Sequence, residues 1–242
     1  MSVLSRFLPA PIKKALKKII YRGGRQCPVC GSSLKGFLPY GVNPRPDAQC
    51  PICGSLERHR LLWLYFRDEA GLLSPPVKRM LHVAPERCFS ERLAACQNID
   101  YLTADIADPA AMVKMDVMDI QYPDASFDVI YCCHVLEHVP DDRKAMREFA
   151  RVLKPGGWAV LQVPLDAERT FEDPSVTDPK ERERLFGQDD HVRVYGLDYK
   201  GRLEEAGFNV TVVAYYERFD EKTLERYGMR YERDDIYLCR LP

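Results

Sequence analysis

From residue 77 onward, short apolar runs alternate with amphipathic stretches. Strands are predicted over 78–84, 99–105, 113–116, 127–133, 158–163, 209–216 and 235–240. Between them, helical spacing predicts helices over 89–96, 142–153 and 199–206. Such alternation implies a mostly parallel sheet with helices on both faces, in the α/β class. Ligands on such sheets bind at the carboxyl ends of strands, near the switch in strand order. Before residue 77 the pattern differs. Leu8, Ile12, Leu16, Ile19 and Ile20 share one helical face, and Lys13, Lys14, Lys17 and Lys18 lie elsewhere. This basic amphipathic segment, 1–26, either packs on its own protein or meets an anionic membrane surface or nucleic acid. An apolar stretch over 61–73 predicts a linking helix that ends at Ser74-Pro75-Pro76.

The region 27–60 carries Cys27-Pro-Val-Cys30-Gly31 and Cys50-Pro-Ile-Cys53-Gly54. Each Cys-x-x-Cys knuckle turns tightly enough for two thiolates to meet one ion, and the trailing glycine permits a positive φ. Two knuckles 19 residues apart supply four sulfurs, enough to close a tetrahedral structural Zn2+ site in a ribbon. Phe37, Leu38 and Tyr40 are expected in its sheet, and His59, within Glu57-Arg58-His59-Arg60, on a helix surface. The other five cysteines are scattered, and Cys132 and Cys133 are adjacent. An odd count of nine without a secretory signal argues for a reducing, cytoplasmic setting.

Charge changes this picture more than bulk composition does. Over 242 residues, 35 basic and 36 acidic side chains nearly cancel. Yet residues 1–46 hold nine basic residues and no acid, which leaves 26 basic against 36 acidic in the remainder. A basic module precedes an acidic body. No apolar run reaches the roughly 18 residues of a spanning helix. The expected organisation is a basic segment 1–26, a ribbon 27–60, a linker helix 61–76 and a main domain 77–242, with a long insertion at 165–197.

Three phrases in the main domain resemble one family. They are Asp116 through Ile130, with Ser126-Phe127-Asp128-Val129-Ile130; Val135-Leu136-Glu137-His138-Val139; and Leu153-Lys154-Pro155-Gly156-Gly157. In this order and spacing they are similar to class I S-adenosylmethionine-dependent methyltransferases of the type 11-like group. The resemblance covers about residues 77–242. It implies a Rossmann-like seven-stranded sheet with an antiparallel last strand, and S-adenosyl-L-methionine as cofactor. It implies a ribose contact at Asp105 and an adenine contact at Asp116, with Val117 beside it. As loop acids, the same aspartates would only cap or turn the chain. The family's glycine-rich first phrase is replaced here by His82-Val83-Ala84-Pro85-Glu86-Arg87-Cys88. Ala84 and Glu86 then either hold the cofactor in a changed way, Glu86 taking its amino group, or mark a lost pocket.

Methyl transfer calls for alignment and, for an oxygen or nitrogen nucleophile, a base. His134, directly after the fourth strand, and His191 are the candidates, and the resemblance places His134 at the cofactor as well. His138 is expected to bridge a helix start, and His82 to be a satisfied core residue. The 165–197 insertion is long enough to be functional. It offers Arg193 as an anion binder and Tyr195 as a phenol towards substrate. A small-molecule acceptor is the leading expectation. RNA, contacted through the basic start and the ribbon, is an enzymatic alternative, and a non-catalytic binding module is the alternative from another class.

Overall fold

The structure is a computed structural model and describes residues 9–41, 44–229 and 235–242. The chain forms two compact units, and elements are numbered along the chain through both. The first unit draws on Met1–Leu73, Glu86–Ala95 and Ala214–Asp235, the second on Ser74–Pro85, Cys96–Val213 and Ile236–Pro242. The boundary expected at 76/77 is therefore not a single cut. Two later stretches return to the first unit, because its central helix is too apolar to be covered by the ribbon alone.

In the first unit, α1 (Ala10–Ile20) begins behind Pro9 and carries Lys17 and Lys18 in its last turn, where they suit the helix dipole. Lys14 Nζ meets Glu91 Oε2 at 2.8 Å and Lys17 Nζ donates to the Pro51 carbonyl. The apolar face is not packed: Ile12 and Leu16 are exposed, as are Ile19 (73%) and Ile20 (62%). Leu8 lies outside the described residues. Two hairpins follow, β1 (Arg25–Gln26) with β2 (Ser33–Leu34), and β3 (Leu38–Tyr40) with β4 (Arg45–Gln49). Leu38 and Tyr40 sit in the sheet as expected, and Phe37 is buried just before it.

Helix α2 (Glu57–Asp68) starts four residues earlier than the apolar run suggests. His59 Nδ1 accepts the Leu56 amide at 3.1 Å and so satisfies a first-turn donor. His59 and Arg60 correct the expectation of a surface tetrad, since both are buried. Arg60 donates to the carbonyls of Ala48, Ser55 and Gly228 and lies 4.0 Å over the Phe37 ring. Burial of His59 through Phe66 requires cover on every side. Part comes from Phe89 on α3 (Arg87–Leu93), whose ring stacks on Trp63 at 5.9 Å and meets His59 and Phe66. Part comes from Tyr215, edge-on to Tyr65. Helix α7 (Glu221–Tyr227) is capped by Asp220 and ends at Gly228, φ +63°, where a Cβ would collide with the Phe37 ring.

The second unit holds β5 (Lys78–Val83), β6 (Ile99–Asp105), β7 (Val113–Lys114), β8 (Phe127–Cys133) and α4 (Asp142–Val152). Then come β9 (Leu153–Gln162), α6 (Tyr199–Glu205), β13 (Asn209–Val213) and β14 (Ile236–Arg240). The seven strands lie in the order β13-β14-β9-β8-β5-β6-β7. All pairings are parallel except those of β14, which is antiparallel to both neighbours. This is the Rossmann-like methyltransferase sheet expected. Order reverses between β5 and β8, so the ligand-binding crevice belongs at their carboxyl ends. Asp128 Oδ2 accepts from the Arg79 amide and Lys154 Nζ, both at 2.8 Å, and ties together the amino ends of β5, β8 and β9. Strand β9 begins earlier than expected: Leu153 pairs with Phe127, and Trp158 already pairs with Val129. Lys154 through Gly157 bulge out between them. Gly156 supplies φ +79°, and a Cβ on Gly157 would lie 2.7 Å from the Asp128 carbonyl.

The 165–197 insertion carries a helix, as the charge-rich stretch 180–185 predicts, and three short strands that the sequence does not predict. It contains β10 (Leu165–Ala167), β11 (Phe171–Glu172), α5 (Pro179–Phe186) and β12 (Arg193–Gly196). The three strands pair in the order β10-β12-β11. Among the described residues, no helix is long and apolar enough to cross a membrane.

Candidate functional site

Four neighbouring strands, β8, β5, β6 and β7, end side by side, and each hands the chain to a residue singled out in the sequence. Beyond β5, Ala84 takes φ +47°, while its amide still donates to the Ala104 carbonyl at 2.9 Å. Beyond β8, His134 takes φ +55°, its amide bound to the Gln162 carbonyl at 2.9 Å. A left-handed backbone costs a non-glycine residue about 1–2 kcal/mol. Two such residues at adjacent strand ends place backbone strain where a ligand would lie.

Asp105 closes β6. Its Oδ1 accepts the amides of Ala107 (2.7 Å) and Asp108 (2.8 Å). Asp116 follows β7, and its Oδ1 accepts the Met118 amide at 2.8 Å. Each aspartate thus turns its own loop with one oxygen. Among the described residues, the other oxygen of each has no hydrogen-bond partner, so both carboxylates keep an acceptor for a ligand. Val117 is buried beside Asp116. His134 Nδ1 lies 3.1 Å from Glu137 Oε1, with the imidazole one-third exposed and the carboxylate buried.

Glu86 belongs to the first unit. Its Oε1 lies 3.6 Å from His59 Nε2, and its carbonyl caps the start of α3. The carboxylate expected at a cofactor amino group therefore faces an imidazole of its own unit. His82, in the family's acidic position, is fully buried with Nδ1 2.7 Å from Tyr101 Oη, a satisfied core histidine as expected.

The insertion residues correct the sequence reading. Arg193, expected to bind an anion, is 2% exposed. It donates to the carbonyls of Leu136, Val139 and Pro140 and, at 2.9 Å, to Glu172 Oε2. Tyr195, expected towards substrate, is fully buried and donates to Asp142 Oδ2 at 2.6 Å. Burial pushes its phenol well above the ordinary range. Arg202 bridges Asp142 Oδ2 (3.0 Å) and Glu172 Oε1 (2.7 Å), and completes a network of two cations and two carboxylates. The hydrogen bond from Arg202 outweighs partial desolvation and holds the Glu172 carboxyl down at about 2. These residues fasten the insertion to the segment after β8, and neither the Arg193 guanidinium nor the Tyr195 phenol faces solvent. His191 is buried too, its Nδ1 3.0 Å from the Phe186 carbonyl. His138 bridges to Asp190 Oδ2 at 3.2 Å. Arg202, Asp142 and Glu172 were not singled out in the sequence, where charged residues on short elements look like solvated surface.

In the first unit, one sulfur from each of Cys27, Cys30, Cys50 and Cys53 lies within 4.8 Å of the others. Sγ separations are 3.7 Å for Cys27–Cys53 and 3.8 Å for Cys30–Cys50. Gly31 and Gly54, at φ +68° and +78°, donate back to the carbonyls of Cys27 and Cys50. The sulfur–sulfur contacts drive the thiol pKa values apart: donating to its neighbours raises Cys27, and accepting from them lowers Cys30. Four thiolates therefore need a cation to coexist there.

Residues 76–161 match a family described as "Methyltransferase domain". Among curated relatives, the chain is similar to 27-O-demethylrifamycin SV methyltransferase of Amycolatopsis mediterranei. That match is 36% identical and covers 49% of this chain and 43% of the relative. It is also similar to ubiquinone biosynthesis O-methyltransferase of Albidiferax ferrireducens, 44% identical over 24% of this chain and 23% of the relative. The chain spans less than half the length of these relatives. Among solved structures, a methyltransferase-fold protein of Bacillus halodurans C-125 superposes with a TM-score of 0.42 at 17% identity. It covers 68% of this chain and 88% of its own.

Proposed function

We propose that this chain, which carries a class I methyltransferase domain, transfers a methyl group from S-adenosyl-L-methionine to an oxygen or nitrogen of a small-molecule acceptor. The observation that carries the reading is the row of strand ends, with Ala84 and His134 in left-handed backbone and Asp105 and Asp116 each keeping one unpartnered oxygen. That row fits the cofactor's needs. Asp105 would accept from ribose hydroxyls, Asp116 from the adenine amino group, and Val117 would pack on the base. Ala84, with the smallest side chain, keeps the first loop open to close approach. The cofactor supplies an electrophilic methyl group on a sulfonium. His134 takes the acceptor's proton: Glu137 holds its Nδ1 side, and Nε2 is left as the base. His191 is buried with its Nδ1 committed to the Phe186 carbonyl, so His134 is the base kept in this reading.

In this reading Cys27, Cys30, Cys50 and Cys53 hold one structural zinc ion, which closes the two knuckles into a folded unit. Four cysteines given to zinc and five others not in disulfides suit a reducing, cytoplasmic compartment. The relatives' names, which refer to a rifamycin and to ubiquinone, support a small-molecule acceptor. The basic stretch 1–46 favours RNA as a second acceptor class. Salt-sensitive RNA binding lost when the lysines of α1 are neutralised would support it.

Calorimetric titration of the full-length protein with S-adenosylhomocysteine tests the function. Micromolar binding, weakened at least about tenfold in Asp105→Ala, is expected, a loss of about 1.4 kcal/mol. No binding by folded protein would remove the enzyme reading and leave a binding module.

A further inference from the structure

The segment after β8 and the insertion bring a second set of donor atoms together. One ligand atom each from Glu137, His138 and His191 lie within 4.8 Å of one another. Glu137 is 2% exposed, and its Oε2 is buried without a hydrogen-bond partner. A carboxylate oxygen left in that state is costly, which marks it as waiting for a cation. The two imidazoles are oriented for the same task. His191 Nδ1 lies 3.0 Å from the Phe186 carbonyl, which can only accept, so the ring donates there and its lone pair sits on Nε2. His138 Nδ1 lies 3.2 Å from Asp190 Oδ2, whose negative charge favours a proton on that nitrogen. Metal-binding histidines are commonly held this way, the far N–H given to a carbonyl or carboxylate. The rings stand edge to face, 4.6 Å apart at 84°.

We propose that Glu137 Oε2 and the Nε2 atoms of His138 and His191 bind one divalent first-row transition metal ion. Two imidazoles and one carboxylate suit Zn2+, Co2+, Fe2+ or Mn2+ better than Mg2+ or Ca2+. Three protein ligands leave coordination positions open. The other oxygen of Glu137 faces His134, so the ion and the candidate base share one carboxylate. Resting on the methyltransferase reading, this narrows the acceptor to hydroxylic compounds whose oxygen can enter an open position.

The test is a Co2+ titration of full-length protein with its cysteines loaded with zinc, followed by visible absorption. Expected are d–d bands that saturate at one cobalt per chain, without the near-ultraviolet charge transfer of thiolate ligands. They should vanish in Glu137→Gln. In His138→Gln and Asp190→Asn, affinity should fall by at least about tenfold. Far-ultraviolet circular dichroism verifies folding, and the partly exposed His138 and Asp190 keep the test usable if Glu137→Gln misfolds. Absent bands, bands accompanied by thiolate charge transfer, or bands that persist in both Glu137→Gln and His138→Gln would overturn the site. Calorimetry with S-adenosylhomocysteine on the same samples separates the two readings. Cobalt binding without cofactor-product binding keeps the metal site and removes methyl transfer. The reverse result removes the metal site alone.

Discussion

Replacing Arg193 decides between a buried strut and an acceptor-binding group. Its guanidinium reaches the carbonyls of Leu136, Val139 and Pro140 and the carboxylate of Glu172, with Asp142 Oδ2 at 3.7 Å. Arg193→Met keeps most of the apolar volume and removes every one of these donors. Glu172 and Asp142 would then keep Arg202, with Arg143 3.8 Å from Glu172. Removing one partner of a buried ionic network costs about 3–5 kcal/mol. An independent count agrees: three carbonyls and one carboxylate lose bonds worth about 1 kcal/mol each, more for the charged one. With a urea slope of about 2–3 kcal/mol per molar, the unfolding midpoint should fall by roughly 1–2 M. Arg193→Lys keeps the charge but not the fork, and should recover only part of the loss. The assay is urea unfolding followed by circular dichroism, alongside acceptor and S-adenosylhomocysteine binding. An unchanged midpoint with weakened acceptor binding would refute the strut and restore the role that the sequence pattern suggests.

Zinc analysis in reducing buffer should find about one tightly held ion per chain at the four cysteines, and Cys27→Ser should lose it and destabilise the first unit; retention of zinc in Cys27→Ser would disprove that assignment. Glu172 is depressed from 4.5 to about 2, mainly by Arg202, so its stabilisation is full above pH 4.5 and fades as pH falls towards 2. In acid titrations Glu172→Gln should therefore lose less stability across that window than the unmodified protein; identical slopes would contradict the ion pair. Gly228→Ala forces a side chain into φ +63° and against Phe37, and should cost about 1–3 kcal/mol in thermal or urea unfolding. A neutral result would show that the Arg60–Phe37 stack can yield.

The middle of the sheet was legible because β5, β8, β9 and β14 are buried along most of their length and read as nearly continuous apolar runs. The predicted 99–105 and 127–133 coincide with β6 and β8, and 78–84 overruns β5 by one residue. The small elements were not legible. Strands β10, β11 and β12 are two to four residues long, and their pairing, such as Leu165 with Tyr195, depends on distant chain. Helix α7 buries only Leu224 and so has no apolar stripe to read. At the candidate site, the family resemblance together with counted strand ends pointed to Ala84, Asp105, Asp116 and His134, and all four lie at or just beyond strand ends. The misread residues were all polar and buried. His59, Arg60, Arg193 and Tyr195 look like surface in a sequence, because the groups that satisfy them come from elsewhere. Arg60 alone spans 168 residues to reach Gly228.

The interleaving of the chain bears on how such a molecule can be taken apart. The backbone passes between the two units five times, after Leu73, Pro85, Ala95, Val213 and Asp235. A nick at any one crossing leaves at least one unit still assembled from pieces on both sides of it. Truncation before Ser74 would strip α3 of α2 and α7 of β1, and leave Phe89 and Tyr215 bare. The ribbon is thus not a cassette that could be grafted onto, or shed from, a finished catalytic fold by a single recombination. Shuffling experiments would have to move three inserts together, and any ancestor lacking the ribbon must have had a different way to cover the helix that follows β5.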